Sequence, residues 1–362
     1  MRARGGARVK YVPQAGWVRG VFVLAAAVGV FALIWWRGPS WNGITVAFGA
    51  VRWRWVFAAI GLNLLSVVAR ATAWQTVIGQ AIPPPRPRFP LVFSAFSVGL
   101  FANAVLPGRI GELARVAVLT RKLPMRRGAW ATLVGTVFAH RVFDLVPVLL
   151  LIGYVLLTAK IPTWAVTSLV VVVVVGIGLL AFALASARHH HGSPRDEFGI
   201  GAVRRLVTLI RHGLGVMHAP VAAAQAIVFQ LLGWTCQILA VWTAMLAFHI
   251  HVGLPAAGLV LVLMNVATIF PLWPGNVGLV QAAVAFPLVD YGVSYAHGFA
   301  YGIGLQAIEA SVGVGVGLLF LAREGLSFAM LRVMPDAAQA EVPAEDAEEP
   351  ASAERPRARI AR

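Results

Sequence analysis

Long apolar runs dominate this sequence and decide what it can fold into. Residues 163–187 and 221–248 are almost free of charge and exceed the roughly 18 residues that mark a membrane-spanning helix. Apolar residues make up 59% of the 362-residue chain and charged residues 12%, whereas soluble domains carry roughly 25% charged residues. The sequence therefore predicts an all-α polytopic membrane protein.

The basic residues set the predicted orientation. A net charge of +16 is compatible with a nucleic-acid binder, but the Lys and Arg residues lie in short loops between apolar runs, which is the positive-inside pattern. We expect no nucleic-acid partner, and we expect both chain ends on the cytoplasmic side of the cell membrane. Cys236 is the sole cysteine and lies inside an apolar run, which excludes an intrachain disulfide and a thiolate metal centre. No metal and no cofactor are predicted.

The two ends of the chain fall outside the predicted membrane region. Residues 1–17 form a basic cytoplasmic N-terminus, and the apolar run that follows has no convincing small-residue cleavage site. We interpret that run as a retained first span rather than a signal peptide. Residues 328–362 are rich in Ala, Glu and Pro, which predicts a disordered tail.

A Pro-Gly-x-(Ile/Val)-Gly motif occurs twice, and each copy interrupts an apolar segment. The copies begin at Pro107 and Pro274. Proline and glycine both break helices, and in hydrocarbon such a break is tolerated only where it packs in protein or lines a wet cavity. A matched pair of interrupted segments is a pointer to a transporter's binding site.

Following the charges along the chain predicts one order of elements twice. Spans are expected at about 18–36, 56–79, 129–157, 164–187, 221–248 and 297–322. Two pairs of shorter apolar segments are 90–106 with 111–120 and 256–270 with 277–289. The first pair has both ends on the cytoplasmic side and the second has both on the external side, so we interpret each as a re-entrant broken-helix hairpin. Two thin spans per pair would leave the ends in the same places.

The predicted fold is therefore about six spans plus two re-entrant hairpins in an inverted-topology repeat. The first repeat covers 18–158 and the second covers 159–327, which includes a cytoplasmic loop at 188–219.

Ionisable side chains inside spans are costly in lipid and are the first candidates for function. Arg70 lies near the middle of its span, and Asn63, Ser66 and Trp74 share its helical face. That face is predicted to look inward. The alternative is an arginine whose charge is satisfied by the backbone and serves helix packing alone.

A second set of charges follows each break. Arg141 and Asp144 are three residues apart and can pair on one helix. Arg141 follows Pro107 at nearly the same distance as Glu309 follows Pro274. The two halves thus place a polar group at similar positions, although structural ion pairs are the alternative.

Each break also exposes the N-terminus of the helix that restarts after it. Unpaired backbone N–H groups at such an end favour anions, phosphate above all. Arg109 and Glu112 stand at the first break, and Asn276 and Gln281 stand near the second, so the site is expected to be electrically asymmetric. The alternative is that Pro-Gly only shapes a hairpin.

Three motifs together resemble those of a known family. They are Asn103-x-x-Leu106-Pro107-x-Arg109-x-Gly111-Glu112, Arg141-x-x-Asp144 and Pro271-x-x-Pro274-Gly275-x-x-Gly278. They resemble the lysylphosphatidylglycerol synthase transmembrane region family of flippase-like integral membrane proteins, from the first span to about residue 327. The resemblance implies a membrane domain that moves aminoacylated phospholipids, hopanoids or lipid-linked sugars. The second half departs from the family pattern, since Asn276 replaces a glycine and Gln281 stands near the usual acid.

The predicted substrate-binding residues come from the breaks, the membrane charges and the resemblance. They are Arg70, Asn103, Pro107, Gly108, Arg109, Gly111, Glu112, Arg141, Asp144, Pro274, Gly275, Asn276, Gly278, Gln281, Gln306 and Glu309.

We expect a flippase-like transporter rather than an enzyme, with membrane lipids as its partners. The expected substrate is an anionic phospholipid or a polyprenyl-phosphate-linked lipid. A non-transporting partner of a separately encoded lipid-modifying enzyme is the main alternative. A lipid-linked glycosyltransferase or aminoacyltransferase is less expected, because aminoacyl transfer needs a tRNA-reading domain that the short tail cannot supply.

Overall fold

The computed structural model describes residues 40–105, 110–123, 129–161, 163–188, 219–268 and 276–323. Within these ranges all regular structure is helical. The helices are α1 (Trp41–Gly49), α2 (Trp53–Ala81), α3 (Phe89–Val105), α4 (Gly111–Lys122), α5 (Ala129–Thr158), α6 (Thr163–Arg188), α7 (Pro220–Ala247), α8 (Leu254–Ala267), α9 (Leu279–Val289), α10 (Tyr295–Ala310) and α11 (Gly317–Arg323). A π-helical segment, Ser311–Val316, joins α10 to α11.

Four helical stretches are long and apolar enough to cross a membrane. They are Trp53–Ala81, Thr132–Thr158, Pro220–Ala247 and Tyr295–Arg323. They match the spans predicted at 56–79, 129–157, 221–248 and 297–322, because uninterrupted apolar runs leave the backbone no alternative partner in lipid.

The other two predicted spans are not among these four stretches. The span predicted at 164–187 forms the helix α6, in which Leu169–Leu179 counts as a shorter apolar helix. The span predicted at 18–36 lies outside the described residues, as do most of the loop 188–219 and the tail 328–362. The total of six spans therefore stays a prediction.

Two pairs of shorter helices occupy the places of the predicted hairpins. Helices α3 and α4 pack against each other, and so do α8 and α9. The connecting residues, 106–109 and 269–275, lie outside the part of the chain that the structure describes.

Glycine permits the close approach of α3 and α4. A Cβ atom at Gly111 would collide with the carbonyl oxygen of Gly99 and would lie 2.6 Å from the side chain of Asn103. No real Cβ tolerates such a contact, so only glycine at this position lets α4 begin against α3.

The chain divides into two compact units by its internal contacts. Among the described residues, those of unit 1 fall in the ranges Met1–Leu62, Leu151–Leu169 and Gln237–Glu309, and those of unit 2 fall in Asn63–Leu150, Val170–Cys236 and Ala310–Arg362. Helices α8 and α9 belong to unit 1, whereas α3 and α4 belong to unit 2. The predicted repeat boundary between residues 158 and 159 remains a prediction.

Each unit has its own buried core. In unit 2, α2, α5 and α7 meet in a cluster of small and medium apolar side chains that comprises Val77, Ala139, Phe143, Ala222 and Ala226. In unit 1 the fully buried Tyr301 donates its hydroxyl proton to the carbonyl oxygen of Val241 at 3.0 Å. This bond satisfies a polar group that would otherwise be costly in an apolar interior.

Candidate functional site

Unit 2 gathers five charged side chains from three helices, and we name this group the charged cluster. Arg70 comes from α2, Glu112 and Arg115 come from α4, and Arg141 and Asp144 come from α5. Arg115 and Asp144 are buried. Three guanidinium groups and two carboxylates give the cluster a surplus of one positive charge.

Glu112 joins two of the arginines. Its Oε2 atom accepts a hydrogen bond from Arg115 Nη2 at 2.7 Å, and its Oε1 atom accepts one from Arg141 Nη2. Glu112 lies in the first turn of α4, where the positive end of the helix dipole also favours a carboxylate. The sequence places Arg115 three residues after Glu112, but only the fold brings Arg141 to the same carboxylate.

Asp144 is held from three sides. Arg141 Nη1 donates to Asp144 Oδ2 at 3.3 Å, which confirms the predicted pairing on one helix. Arg70 Nη2 lies 4.0 Å from Asp144 Oδ1, and Trp234 Nε1 donates to the same oxygen at 2.7 Å. Charge-assisted bonds of this kind are the strong ones in proteins, so Asp144 is a fixed member of the cluster.

Aromatic rings hold two of the arginines. The guanidinium carbon of Arg115 lies 4.6 Å from the ring centre of Trp74 and 5.4 Å from that of Phe96. Arg70 lies over Trp234 at 4.8 Å. These distances fall within the range of cation–π attraction, which strengthens when the cation is removed from water.

Arg115 keeps unused hydrogen-bonding capacity. The residue is only 4% exposed, and in the described ranges its buried Nε–H has no hydrogen-bond partner. Such a buried, unsatisfied donor is uncommon in native proteins. It lies beside a small cavity that its side chain helps to line.

Two cavities meet at the charged cluster. The smaller, of about 40 Å³, is lined by all five cluster residues together with Asn103, His140 and their neighbours. The larger, of about 390 Å³, is walled by apolar side chains: Leu113, Val116, Val134, Val137 and Phe138. Glu112 and Arg141 line both cavities. The site therefore has a charged end and an apolar end that share these two side chains.

Asn103 and Gly111 set the position of α4 beside the cluster. The backbone N–H of Gly111 donates to Asn103 Oδ1 at 2.9 Å. This bond satisfies one of the N–H groups that the first turn of a helix leaves without a partner. Because Glu112 follows Gly111 directly, the bond also fixes the backbone position from which the Glu112 side chain extends.

Four predicted residues of the second half lie in unit 1 and form hydrogen bonds through uncharged groups; they are Asn276, Gly278, Gln281 and Gln306. Asn276 Nδ2 donates to the carbonyl oxygen of Ala267 at 3.0 Å. Gly278, which has a φ of 92°, donates its N–H to Gln281 Oε1 at 2.6 Å. Gln281 Nε2 in turn donates to Gln306 Oε1.

Glu309 lies in unit 1 with a different partner. Gln237 Nε2 donates to Glu309 Oε1 at 3.3 Å. Among the described residues α4 carries charged groups where α9 carries Gln281, and the electrical asymmetry of a binding site stays a prediction. Pro107, Gly108, Arg109, Pro274 and Gly275 lie outside the described residues.

The inward face predicted on α2 is confirmed by burial. Asn63 and Ser66 are buried, and Trp74 is fully buried. Sequence reasoning missed Trp234 and its neighbour Gln230, whose side chain donates to the carbonyl oxygen of His140 at 3.3 Å. The signal was available, because Gln230 and Trp234 lie one turn apart inside a predicted span, on one helical face.

Within the described ranges no group of three or more His, Cys, Asp or Glu side chains could hold a metal ion. Each carboxylate of the charged cluster already has arginine partners.

Comparison with known proteins assigns the chain. A family model described as the lysylphosphatidylglycerol synthase TM region matches residues 21–330. The chain belongs to this family. Membership confirms the resemblance carried by the motifs and makes the protein an integral, multi-pass membrane protein. The matched range contains every residue of the charged cluster.

A related protein adds support at the level of family. A UPF0104 membrane protein of Pyrococcus horikoshii is 22% identical over 191 residues, which cover 53% of this chain and 55% of that protein. The chain thus spans about half the length of this relative. Its description states a membrane protein and no activity.

Proposed function

We propose that this member of the lysylphosphatidylglycerol synthase TM region family is a flippase-like transporter. It moves a lipid with an anionic phosphate head group across the cytoplasmic membrane. The observation that carries the proposal is that Glu112 and Arg141, two members of a cluster with surplus positive charge, also line the apolar cavity. An amphiphile with a negative head matches both ends.

The chemistry of each end supports this substrate class. Arginine presents a planar fork of donors that matches phosphate oxygens, and Arg141 is the most exposed member of the cluster, with half of its side chain accessible. The apolar cavity of about 390 Å³ offers room for part of an acyl or prenyl chain. The rest of a long chain stays in the bilayer, so only the head group crosses through protein.

Helix lengths support the re-entrant hairpins of the proposed topology. Helices α3 and α4 have 17 and 12 residues, and α8 and α9 have 14 and 11. At roughly 1.5 Å per residue the longest reaches about 26 Å, which is short of the ~30 Å hydrocarbon core. We propose that the pairs enter from opposite sides of the membrane, as the loop charges indicate.

Cysteine accessibility tests this topology. The native Cys236 is first replaced by serine, and single cysteines are then placed at Arg86, Arg127, Ser193 and Gly253. We expect the first three to react from the cytoplasmic side and the cysteine at Gly253 from the outside. External labelling at Arg86 or Arg127 would remove the first hairpin from the proposal.

The transport step is tested with purified protein in liposomes that carry a fluorescent anionic phospholipid. The rate at which the labelled lipid changes leaflet is measured for wild type, Arg141→Ala and Asp144→Ala. We expect both variants to lose movement of the anionic lipid. Asp290→Asn is the control, since it removes one carboxylate from an exposed turn residue and should move lipid at the wild-type rate.

The same assay separates the proposal from its main alternative. A non-transporting partner of a lipid-modifying enzyme would leave the labelled lipid where it started in every sample, including wild type. Transport at wild-type rate by both cluster variants would instead make the charges structural.

A further inference from the structure

The two carboxylates of the charged cluster are held in different ways. Asp144 accepts a bond from the indole N–H of the buried Trp234 on α7, and its side chain is 12% exposed. Glu112 has a side chain that is 25% exposed and is held by Arg115 and Arg141. Glu112 is therefore the more exchangeable acid of the two.

The two arginines that hold Glu112 also differ. Arg115 is buried and stacked on Trp74 and Phe96, so its position does not depend on Glu112 alone. The Arg141 side chain is 50% exposed and lines both the charged and the apolar cavity. An anion that arrives through the apolar cavity meets Arg141 together with the carboxylate already bound to it.

We propose that Glu112 is a resident counter-anion which the lipid head group displaces from Arg141, and that Glu112 thereby determines the specificity and affinity of the site. This inference rests on the proposed function, since it presupposes an anionic head group. A carboxylate and a phosphate offer the same paired oxygen acceptors to a guanidinium, so one replaces the other at similar geometry.

The exchange leaves no charge without a partner. After displacement Glu112 keeps its bond to Arg115, so the cost of an unpaired buried carboxylate does not arise. The cluster has three guanidinium groups and two carboxylates, and one phosphodiester neutralises the remaining positive charge. A zwitterionic head group brings no net charge and competes poorly with Glu112 for Arg141. The presence of Glu112 therefore favours the binding of anionic lipids over zwitterionic ones.

Two variants of one residue test the exchange. Glu112→Gln removes the charge, and Glu112→Asp keeps the charge but shortens the side chain, which weakens its reach from α4 to Arg141 on α5. We measure the binding of phosphatidylglycerol and of phosphatidylcholine to purified full-length protein, with Asp290→Asn as the charge-matched control.

Exposed ion pairs contribute modestly, so the expected changes are moderate. Glu112→Gln should bind phosphatidylglycerol roughly three- to tenfold more tightly than wild type, and Glu112→Asp roughly two- to threefold more tightly. Binding of phosphatidylcholine should be the same in all four proteins. Reaction of the buried Cys236 with a thiol dye on heating verifies that each variant is folded before its affinity is compared.

The outcomes distinguish this inference from the proposed function. If wild type binds the two lipids equally, the proposed anionic substrate fails. If wild type prefers phosphatidylglycerol but neither Glu112 variant binds it more tightly, the exchange fails and the proposed function stands. Tightening in Glu112→Gln with no change in Glu112→Asp also overturns the exchange, because a general gain of positive charge would then explain the result.

Discussion

Replacing Gly111 by alanine should destabilise the pair of helices that carries Glu112. The added Cβ would collide with the Gly99 carbonyl oxygen and lie 2.6 Å from the Asn103 side chain. Backbone cannot move aside cheaply, so overpacking costs about 1–3 kcal/mol. Loss of the 2.9 Å bond between Gly111 N–H and Asn103 adds about 1 kcal/mol. The free energy of unfolding should fall by about 2–4 kcal/mol in total.

The chain supplies both the probe and the control for this measurement. Cys236 is the sole cysteine and is buried, so its reaction with a thiol dye on heating in detergent reports unfolding. Gly178 is also helical, but a Cβ there would meet nothing within 4 Å. Gly178→Ala should leave the melting temperature unchanged or raise it slightly, because alanine favours a helix by up to ~1 kcal/mol.

The expected loss corresponds to a fall of roughly 5–15 °C in the melting temperature of Gly111→Ala, taking the size scaling of large domains. A double-mutant cycle with Asn103→Ala should show non-additive losses, since the two residues share one hydrogen bond. A melting temperature for Gly111→Ala within 2 °C of that for Gly178→Ala, roughly the effect of 1 kcal/mol or less, would refute the reasoning.

Three further predictions concern single residues of the two units, and the first compares two variants. Trp234→Phe removes the donor to the Asp144 carboxylate and should cost roughly 1.5–3 kcal/mol of unfolding free energy. Trp242→Phe should cost about 1 kcal/mol, because the indole of Trp242 bonds a neutral backbone oxygen. Equal melting temperatures of the two variants would contradict this order. Gln281→Met should cost about 2–4 kcal/mol in the same melting assay, because it removes both hydrogen bonds of the buried amide and takes the acceptor from the Gly278 N–H. Arg109→Gln should weaken binding of anionic lipid in a lipid-binding assay and leave a neutral lipid unaffected; equal affinity of wild type and variant for the anionic lipid would oppose a phosphate site at the first break.

The long helices could be predicted closely from the sequence. The run 221–248 becomes Pro220–Ala247, and 297–322 becomes Tyr295–Arg323. Apolar runs of this length have one stable backbone arrangement in lipid, and their ends are marked by proline, glycine or charge. The sequence gives no sign of the π-helical segment Ser311–Val316. A π-helix has about one more residue per turn than an α-helix, and this difference leaves the apolar composition of the segment unchanged.

In the candidate site, the contacts between residues close in sequence could be predicted and the long-range contacts could not. Arg141 and Asp144 are three residues apart, so helix geometry alone predicted their pair. The contact of Glu112 with Arg141 depends on how two helices pack, which spacing does not contain. The partners of Gln306 and Glu309 illustrate the limit, since the two residues lie one turn apart yet bond to different helices.

The aromatic rings around Arg115 help to fix the geometry of the charged cluster independently of which anions are bound to it. Ring faces neither titrate nor dissociate, and two of them lie 4.6 Å and 5.4 Å from this guanidinium. One cation is thereby anchored by the apolar framework as well as by its bond to Glu112. An anion that exchanges at Arg141 therefore meets a neighbouring cation whose position the helices keep constant. A lysine in its place would lose the planar stacking, and the framework would then have to be held together by the same charges that meet the ligand.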